Sequence, residues 1–330
     1  MNINEIPDSL YLNLLDDINF KPIFIIGLHR SGTTLLHKVL AETRCFNYVN
    51  YYHAIKYDEL LYNHINKKDN QVCQELKEFF NSQGIITRAY DNVKVTVDTP
   101  VEYQSLIGNR FSKARYGQTE FEIYLNSENL QKFIEVCKKI QCISKADCPI
   151  LLKNPSEFAN FKFLKSAFPG AKFIFIHREP IPVINSWLKM QRSAWSKKSN
   201  SLAIRWPLYN QTFENFLLRS YRWILESEYF DLGVHRAMKR HVEKTTYFLQ
   251  NIDSLQNQDY VSVRYEDFCK QPEVTILKIL GFIGLKARAT LDYEKLIEPR
   301  PLDLLPEVER NSEQIKKLLQ PYRTYCGYET

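Results

Sequence analysis

The chain has 330 residues, 44 of them Lys or Arg and 38 Asp or Glu, for a formal net charge of +6, with 44% hydrophobic and 25% charged residues. These ordinary globular proportions support a sizeable buried core and exclude disordered, fibrous and disulfide-stapled classes. The positive balance suits a polyanionic small ligand, but the lysines are scattered, and the pairs Lys67-Lys68, Lys138-Lys139 and Lys197-Lys198 are expected to be solvated rather than a nucleic-acid-binding stripe.

Residues 1–20 mix Asn, Asp and Glu with Leu and Tyr, so the pattern predicts neither a secretory leader nor a membrane anchor. Seven cysteines form an odd set without a C-x-x-C pair, which predicts reduced thiols and a cytoplasmic location. Cys137, Cys142 and Cys148 with Asp147 fit no common zinc spacing, and no metal is expected.

Ile23 to Gly27 reads as a strand buried on both faces, and Leu35, Leu36, Val39 and Leu40 recur at helical spacing. Between them, Gly27 to Thr34 has the Gly-x-x-x-x-Gly frame of a P-loop, with Thr33 where a nucleotide triphosphatase carries lysine. Backbone N–H groups and the helix dipole at such a turn favour a bound phosphate, while the missing lysine argues against γ-phosphate chemistry.

Further strands are predicted at Lys94–Val97, Ile150–Lys153, Lys172–His177 and Tyr260–Arg264, separated by helical stretches that include Asp69–Ser82, Phe121–Ile140 and core-facing helices over Phe213–Gln250. Gly27, Asp98, Lys153, His177 and Tyr265 then fall at strand ends, where parallel sheets place their ligands. Arg178 and Ser186, eight residues apart across the turn at Pro180, converge on one anion if a helix starts there. Ser193–Tyr209, with Trp195 and Trp206, reads either as a lid or acceptor-gripping loop beside the site or as a surface connection with two packed tryptophans.

Gly27 to Thr34, Arg178 with Ser186, and Val261 to Phe268 followed by Gly281-Phe282-Ile283-Gly284-Leu285 stand in order, and together they resemble the sulfotransferases that use 3′-phosphoadenosine 5′-phosphosulfate (PAPS), especially the bacterial and Golgi-type branch. The resemblance covers residues 22–285 and implies a single α/β domain over 1–330, with a central parallel β-sheet flanked by helices and a P-loop-like nucleotide-binding core. Residues 1–20 then form an N-terminal extension and 286–330 a C-terminal segment. It implies PAPS as donor, adenosine 3′,5′-bisphosphate (PAP) as product, and a small-molecule acceptor. No nucleic-acid or membrane partner is expected, and oligomeric state stays open.

By the same resemblance, Arg30 holds the 5′-phosphate and steadies the leaving oxygen, with Ser31, Gly32, Thr33 and Thr34 as donors. Arg178 and Ser186 hold the 3′-phosphate. His29 reads equally as a phosphate contact or a polar turn residue, Tyr265 as an adenine neighbour or a structural turn, and Trp187 as stacking or core. Lys153, in Leu152-Lys153-Asn154-Pro155, is a candidate cation for the sulfonate or the acceptor, against a merely solvated strand end. Glu102, in Asp98-Thr99-Pro100-Val101-Glu102, is the candidate general base, although Tyr103-Gln104 replaces the further acids of the family's run. His53 is the rival base, and Tyr48, Tyr51, Tyr52 and Tyr57 are candidates for the acceptor pocket. Two other readings stay open: a small-molecule kinase with a degenerate P-loop, and a non-catalytic PAPS- or phosphate-binding protein.

Overall fold

Ile23, Phe24, Ile25 and Ile26 alternate between two apolar layers. Phe24 and Ile26 join one core cluster, while Ile23 and Ile25 join another on the opposite face. The strand they build, β1 (Pro22–Ile26), is therefore buried along its whole length and forms the centre of a five-stranded parallel sheet. The order is β2-β3-β1-β4-β5, with β2 Asn47–Tyr48, β3 Ile150–Lys153, β4 Lys172–His177 and β5 Tyr260–Arg264. The computed structural model describes residues 6–87, 93–110, 124–196, 213–225, 227–228, 230–297 and 302–328.

Register aligns the carboxyl ends. Ile25 pairs with Lys153, Ile26 with Phe175 and His177 with Arg264. The chain leaves β1 for one side of the sheet and reaches β4 on the other, which opens a crevice beyond those ends. Framing it are α1 (Thr33–Glu42), α2 (Tyr51–Lys56), α3 (Gln104–Arg110), α4 (Pro180–Ser196), α5 (Phe216–Leu225), α6 (Leu232–Asn251) and α7 (Tyr265–Lys270). Ile184, Trp187 and Leu188 of α4 pack against Val234, Ala237 and Met238 of α6 and Val308, Ile315 and Leu319 of the C-terminal segment.

Four of the five expected strands are present. Lys94–Val97 is not one of them. Lys94 makes only an isolated antiparallel bridge to Thr87, and the apolar character of Val95 and Val97 serves burial in the main core cluster. The edge position belongs to β2, whose two residues are too few to leave a periodic signal. Asp69–Ser82 is helical, and of the helix expected over Phe121–Ile140 the described residues show Leu130–Ile143. Phe213–Gln250 divides into α5 and α6. Against expectation, α5 does not bury its apolar residues, since Phe216, Leu217 and Trp223 are 79%, 76% and 69% exposed. Of the Ser193–Tyr209 segment, residues 197–209 lie outside the described part.

Lys139 is not solvated either. It is buried against Asp8 Oδ2 at 3.0 Å and Glu135 Oε1 at 2.9 Å, tying the N-terminal segment to the Leu130–Ile143 helix. The C-terminal segment closes on the sheet through Tyr322, whose hydroxyl is 2.8 Å from Nδ1 of His177. Among the described residues, no helix is long and apolar enough to cross a membrane.

Candidate active site

The turn after β1 is shaped by close approaches. A Cβ on Gly27 would lie 2.5 Å from the carbonyl oxygen of Ile176, and one on Gly32 would lie 2.2 Å from Cδ2 of Tyr265. Gly32 also has φ +100°, and Arg30 shares the left-handed region at φ 74°. Ser31 N donates to Leu28 O at 3.0 Å, turning the chain into α1. Ser31 itself is fully buried, and its Oγ has no hydrogen-bond partner among the described residues. A buried orphan hydroxyl beside a helix N-terminus suits an anion bound in the turn.

Three strand ends contribute to the same place. Arg30 Nε donates to Ser186 Oγ at 2.9 Å, so the β1 turn and α4 meet directly. Arg178, just past β4, donates from Nη1 to the Arg30 carbonyl at 3.1 Å. Its guanidinium carbon lies 4.1 Å from the centroid of the Tyr265 ring, the ring that leans on Gly32. Gly32, Tyr265 and Arg178 therefore form one stack, which gives Tyr265 a packing role in holding the arginine plane.

Lys153 closes β3 and is only 2% exposed, so it is not a solvated strand end. Its Nζ donates to Thr34 Oγ1 at 2.8 Å and to Glu102 Oε1 at 2.5 Å. Glu102 reaches it because its segment is stitched across the sheet: Val101 N donates to Val49 O at 2.9 Å, and Tyr103 N to Lys153 O at 3.2 Å. Tyr103 is a core side chain, 4.8 Å from the Phe133 ring between centroids. Gln104 takes up the other carboxylate oxygen, donating from Nε2 to Oε2 at 2.8 Å.

The network continues through Ser156, a residue the sequence reading missed. Its Oγ donates to Gln104 Oε1 at 3.3 Å and lies 3.4 Å from Nε2 of His29. Asn154 fixes Ser156 by accepting its backbone N–H at 3.1 Å. The His29 imidazole is held well below its ordinary pKa, first by burial and then by the positive charges of Lys244 and Arg240, with Glu102 opposing. Lys244 and Arg240 were also missed, although their spacing on α6 is visible in the sequence.

His53 has another task. Asn50 and His53 form a capping box at the start of α2, where His53 Nδ1 lies 3.4 Å from the Asn50 N–H and 3.1 Å from the Tyr48 carbonyl. Burial lowers its pKa to about 4. The expected acceptor-lining aromatics are largely core: Tyr51 packs on Phe80, and Tyr52 is buried with its hydroxyl donating to Asp69 at 2.7 Å. Trp187 is 2% exposed and belongs to the core between α4 and α6.

Fold and site together define a parallel α/β protein in which the turns after β1 and β4 meet at one crevice. The chain belongs to the sulfotransferase family, which it matches over residues 22–289. It is 25% identical over 279 residues to omega-hydroxy-beta-dihydromenaquinone-9 sulfotransferase Stf3 of Mycobacterium bovis, covering 80% of this chain, and it spans 63% of the relative's length. The same values hold for the Mycobacterium tuberculosis protein of that name. The fold resembles sulfotransferase STF9 from Mycobacterium avium, with TM-score 0.65 and 15% identity over 96% of this chain and 80% of that one. It also resembles STF1 from Mycobacterium tuberculosis, with TM-score 0.52 and 15% identity over 94% and 80% of the two chains.

Proposed function

We propose that this protein transfers the sulfuryl group of PAPS to a hydroxyl, or to an amine or guanidine nitrogen, of a small-to-medium acceptor in the cytoplasm. The observation that carries the reading is the Arg30–Ser186 hydrogen bond of 2.9 Å, backed by Arg178 on the Arg30 carbonyl, because it joins the two phosphate loops without a P-loop lysine. Bound PAPS supplies the chemistry: the acceptor–sulfur bond forms as the bond from sulfur to the bridging oxygen breaks, and PAP departs with the electron pair.

Arg30, Ser31, Gly32, Thr33 and Thr34 hold the 5′-phosphate, with Arg30 offsetting charge on the departing oxygen. Arg178 and Ser186 hold the 3′-phosphate, and the Tyr265 ring keeps the Arg178 plane in place. Glu102 takes the acceptor proton, oriented by Lys153 and Gln104, while His53 stays at the α2 cap. Lys153 lies on the sulfonate side through Thr34, and His29 borders the same space. The name of the Mycobacterium relatives specifies an omega-hydroxyl acceptor, which favours oxygen over nitrogen here.

A thermal-shift comparison of PAP, AMP and ATP with magnesium tests the reading. PAP without magnesium is expected to stabilise the protein by about 2.7 kcal/mol at roughly 100 times its dissociation constant. Stabilisation by ATP with magnesium and none by PAP would favour the kinase reading instead. PAP binding without transfer to any acceptor would favour the non-catalytic one.

A further inference from the structure

Two neighbours in sequence, Arg178 and Glu179, meet two others, Tyr265 and Glu266. The Arg178 guanidinium carbon lies 4.1 Å from the Tyr265 ring centroid, and the Glu179 backbone N–H donates to Glu266 Oε1 at 3.2 Å. The β4–β5 ladder ends just before, where His177 pairs with Arg264. Glu266 thus supplies from a side chain the acceptor that a longer β5 would supply from its backbone. Pro180 opens α4, so Glu179 is the last residue before the helix that carries Ser186. Holding Glu179 sets the direction in which the chain leaves β4, and with it the place of Arg178.

The C-terminal residues close this clamp. The Tyr328 hydroxyl donates to the second Glu266 oxygen at 2.6 Å, and Arg323 Nε donates to Glu179 Oε1 at 3.0 Å. A cap past the Gln320–Tyr325 helix joins the two latch residues, since Tyr328 N donates back to the Arg323 carbonyl at 2.9 Å. Arg264, at the end of β5, secures the same stretch. Its Nη1 donates to the Gly327 carbonyl at 2.9 Å, and its guanidinium carbon lies 4.9 Å from the Tyr328 ring centroid. Glu179 and Glu266 are like charges held within the clamp, and the ion pair with Arg323 offsets their repulsion.

Under the sulfotransferase reading, on which this step rests, Arg178 addresses the donor's 3′-phosphate. We infer that Tyr328 and Arg323 are positioning residues that set the preference for a 3′-phosphorylated nucleotide, acting through Glu266 and Glu179 to hold Arg178 where the 3′-phosphate arrives. A guanidinium grips phosphate with two nitrogens only when its plane is fixed, so a turn free to shift keeps the charge and loses the grip. The 5′-phosphate loop lies on the turn after β1, outside this latch.

The test measures PAP and AMP affinity by calorimetry on the full chain. Tyr328→Phe keeps the ring beside Arg264 and removes only the hydroxyl that reaches Glu266. It is expected to lower the ratio of PAP to AMP affinity about three- to tenfold, with AMP affinity staying within about twofold. Arg323→Gln should act in the same direction. Glu266→Ala should lower the ratio too, whereas Glu266→Gln should keep it, because its amide can accept from the Glu179 N–H and donate to the Tyr328 oxygen. In an Arg178→Ala background, Tyr328→Phe should cost nothing further, since both changes then act on one contact. The inference is overturned by an unchanged ratio in Tyr328→Phe, by equal losses for PAP and AMP, or by losses that add to that of Arg178→Ala. Should Arg323→Gln unfold the chain, Tyr328→Phe decides, because it takes a single hydroxyl from a half-buried side chain. A wild-type protein that shows no preference for PAP over AMP would instead sink the sulfotransferase reading itself.

Discussion

Lys153 Nζ lies 2.5 Å from Glu102 Oε1 with the two side chains 2% and 13% exposed, so the candidate base and its cation form a nearly buried pair at the end of β3. Glu102→Gln keeps an oxygen for Lys153 but removes the proton acceptor. Single-turnover transfer is expected to fall about 10²–10⁴-fold, with PAP affinity changed less than about twofold. Lys153→Met should behave differently, because it leaves a carboxylate buried without its partner. Removing one member of such a pair costs about 3–5 kcal/mol, which denaturant unfolding would register. The double variant should recover most of that stability but not the turnover. Full activity in Glu102→Gln would remove Glu102 from the chemistry.

Arg178 depends on its plane as well as its charge, since it both stacks on Tyr265 and donates to the Arg30 carbonyl. Arg178→Ala should weaken PAP binding by about 1.5–3 kcal/mol and leave AMP binding nearly unchanged, because only PAP carries the 3′-phosphate. Arg178→Lys should fall between wild type and Arg178→Ala, keeping charge and losing the stack. Equal losses for PAP and AMP would show that Arg178 supports the turn rather than the 3′-phosphate.

The strands β1, β3, β4 and β5 were legible because β1, β3 and β4 are apolar runs ending in a polar turn and β5 alternates Val with polar residues before one, patterns that local sequence carries. Lys94–Val97 looked like another, yet Val95 and Val97 are buried in the core outside the sheet. Apolar character reports burial, not the partner. For the same reason Tyr51 and Tyr52 looked like pocket walls and are core. Ser156 and Gln104 escaped notice because nothing local marks a serine that links His29 to a glutamine 52 positions away. Lys139 looked solvated since its partner Asp8 lies still farther away in sequence.

Gly32 has two constraints at once, φ +100° and the Tyr265 ring where a Cβ would stand. Gly32→Ala is therefore expected to lower the melting temperature and abolish PAP binding, with backbone strain alone worth about 1–3 kcal/mol. Adding Tyr265→Ala relieves the clash but not the φ strain, and it removes the stack under Arg178. The double variant should regain part of the stability and none of the PAP affinity. PAP binding at wild-type strength in Gly32→Ala would place the phosphate elsewhere.

Three buried histidines set the acid limit of the fold. Burial holds His177 at about 3, His53 at about 4 and His241 at about 4, against 6.5 for an exposed imidazole. The folded chain thus binds fewer protons at these positions than the unfolded one. Their contribution is fully present above about pH 6.5 and is lost as pH falls below it, at roughly 1.4 kcal/mol per pH unit for each histidine. Glu157 works in the opposite direction. Burial raises its pKa from 4.5 to about 7, so its contribution is present below 4.5 and is lost as pH rises towards 7. On acidification the three histidines outweigh the one glutamate, and the denaturant midpoint should be flat above about pH 7 and fall steadily between about 6.5 and 5. His177→Gln can preserve contacts to Tyr322 and Ser262, which lie 2.8 and 3.2 Å from the imidazole nitrogens, while removing one titrating group. Its midpoint should decline clearly less than that of the wild type over the same range. An unchanged acid slope in that variant would mean that His177 is protonated inside the folded protein.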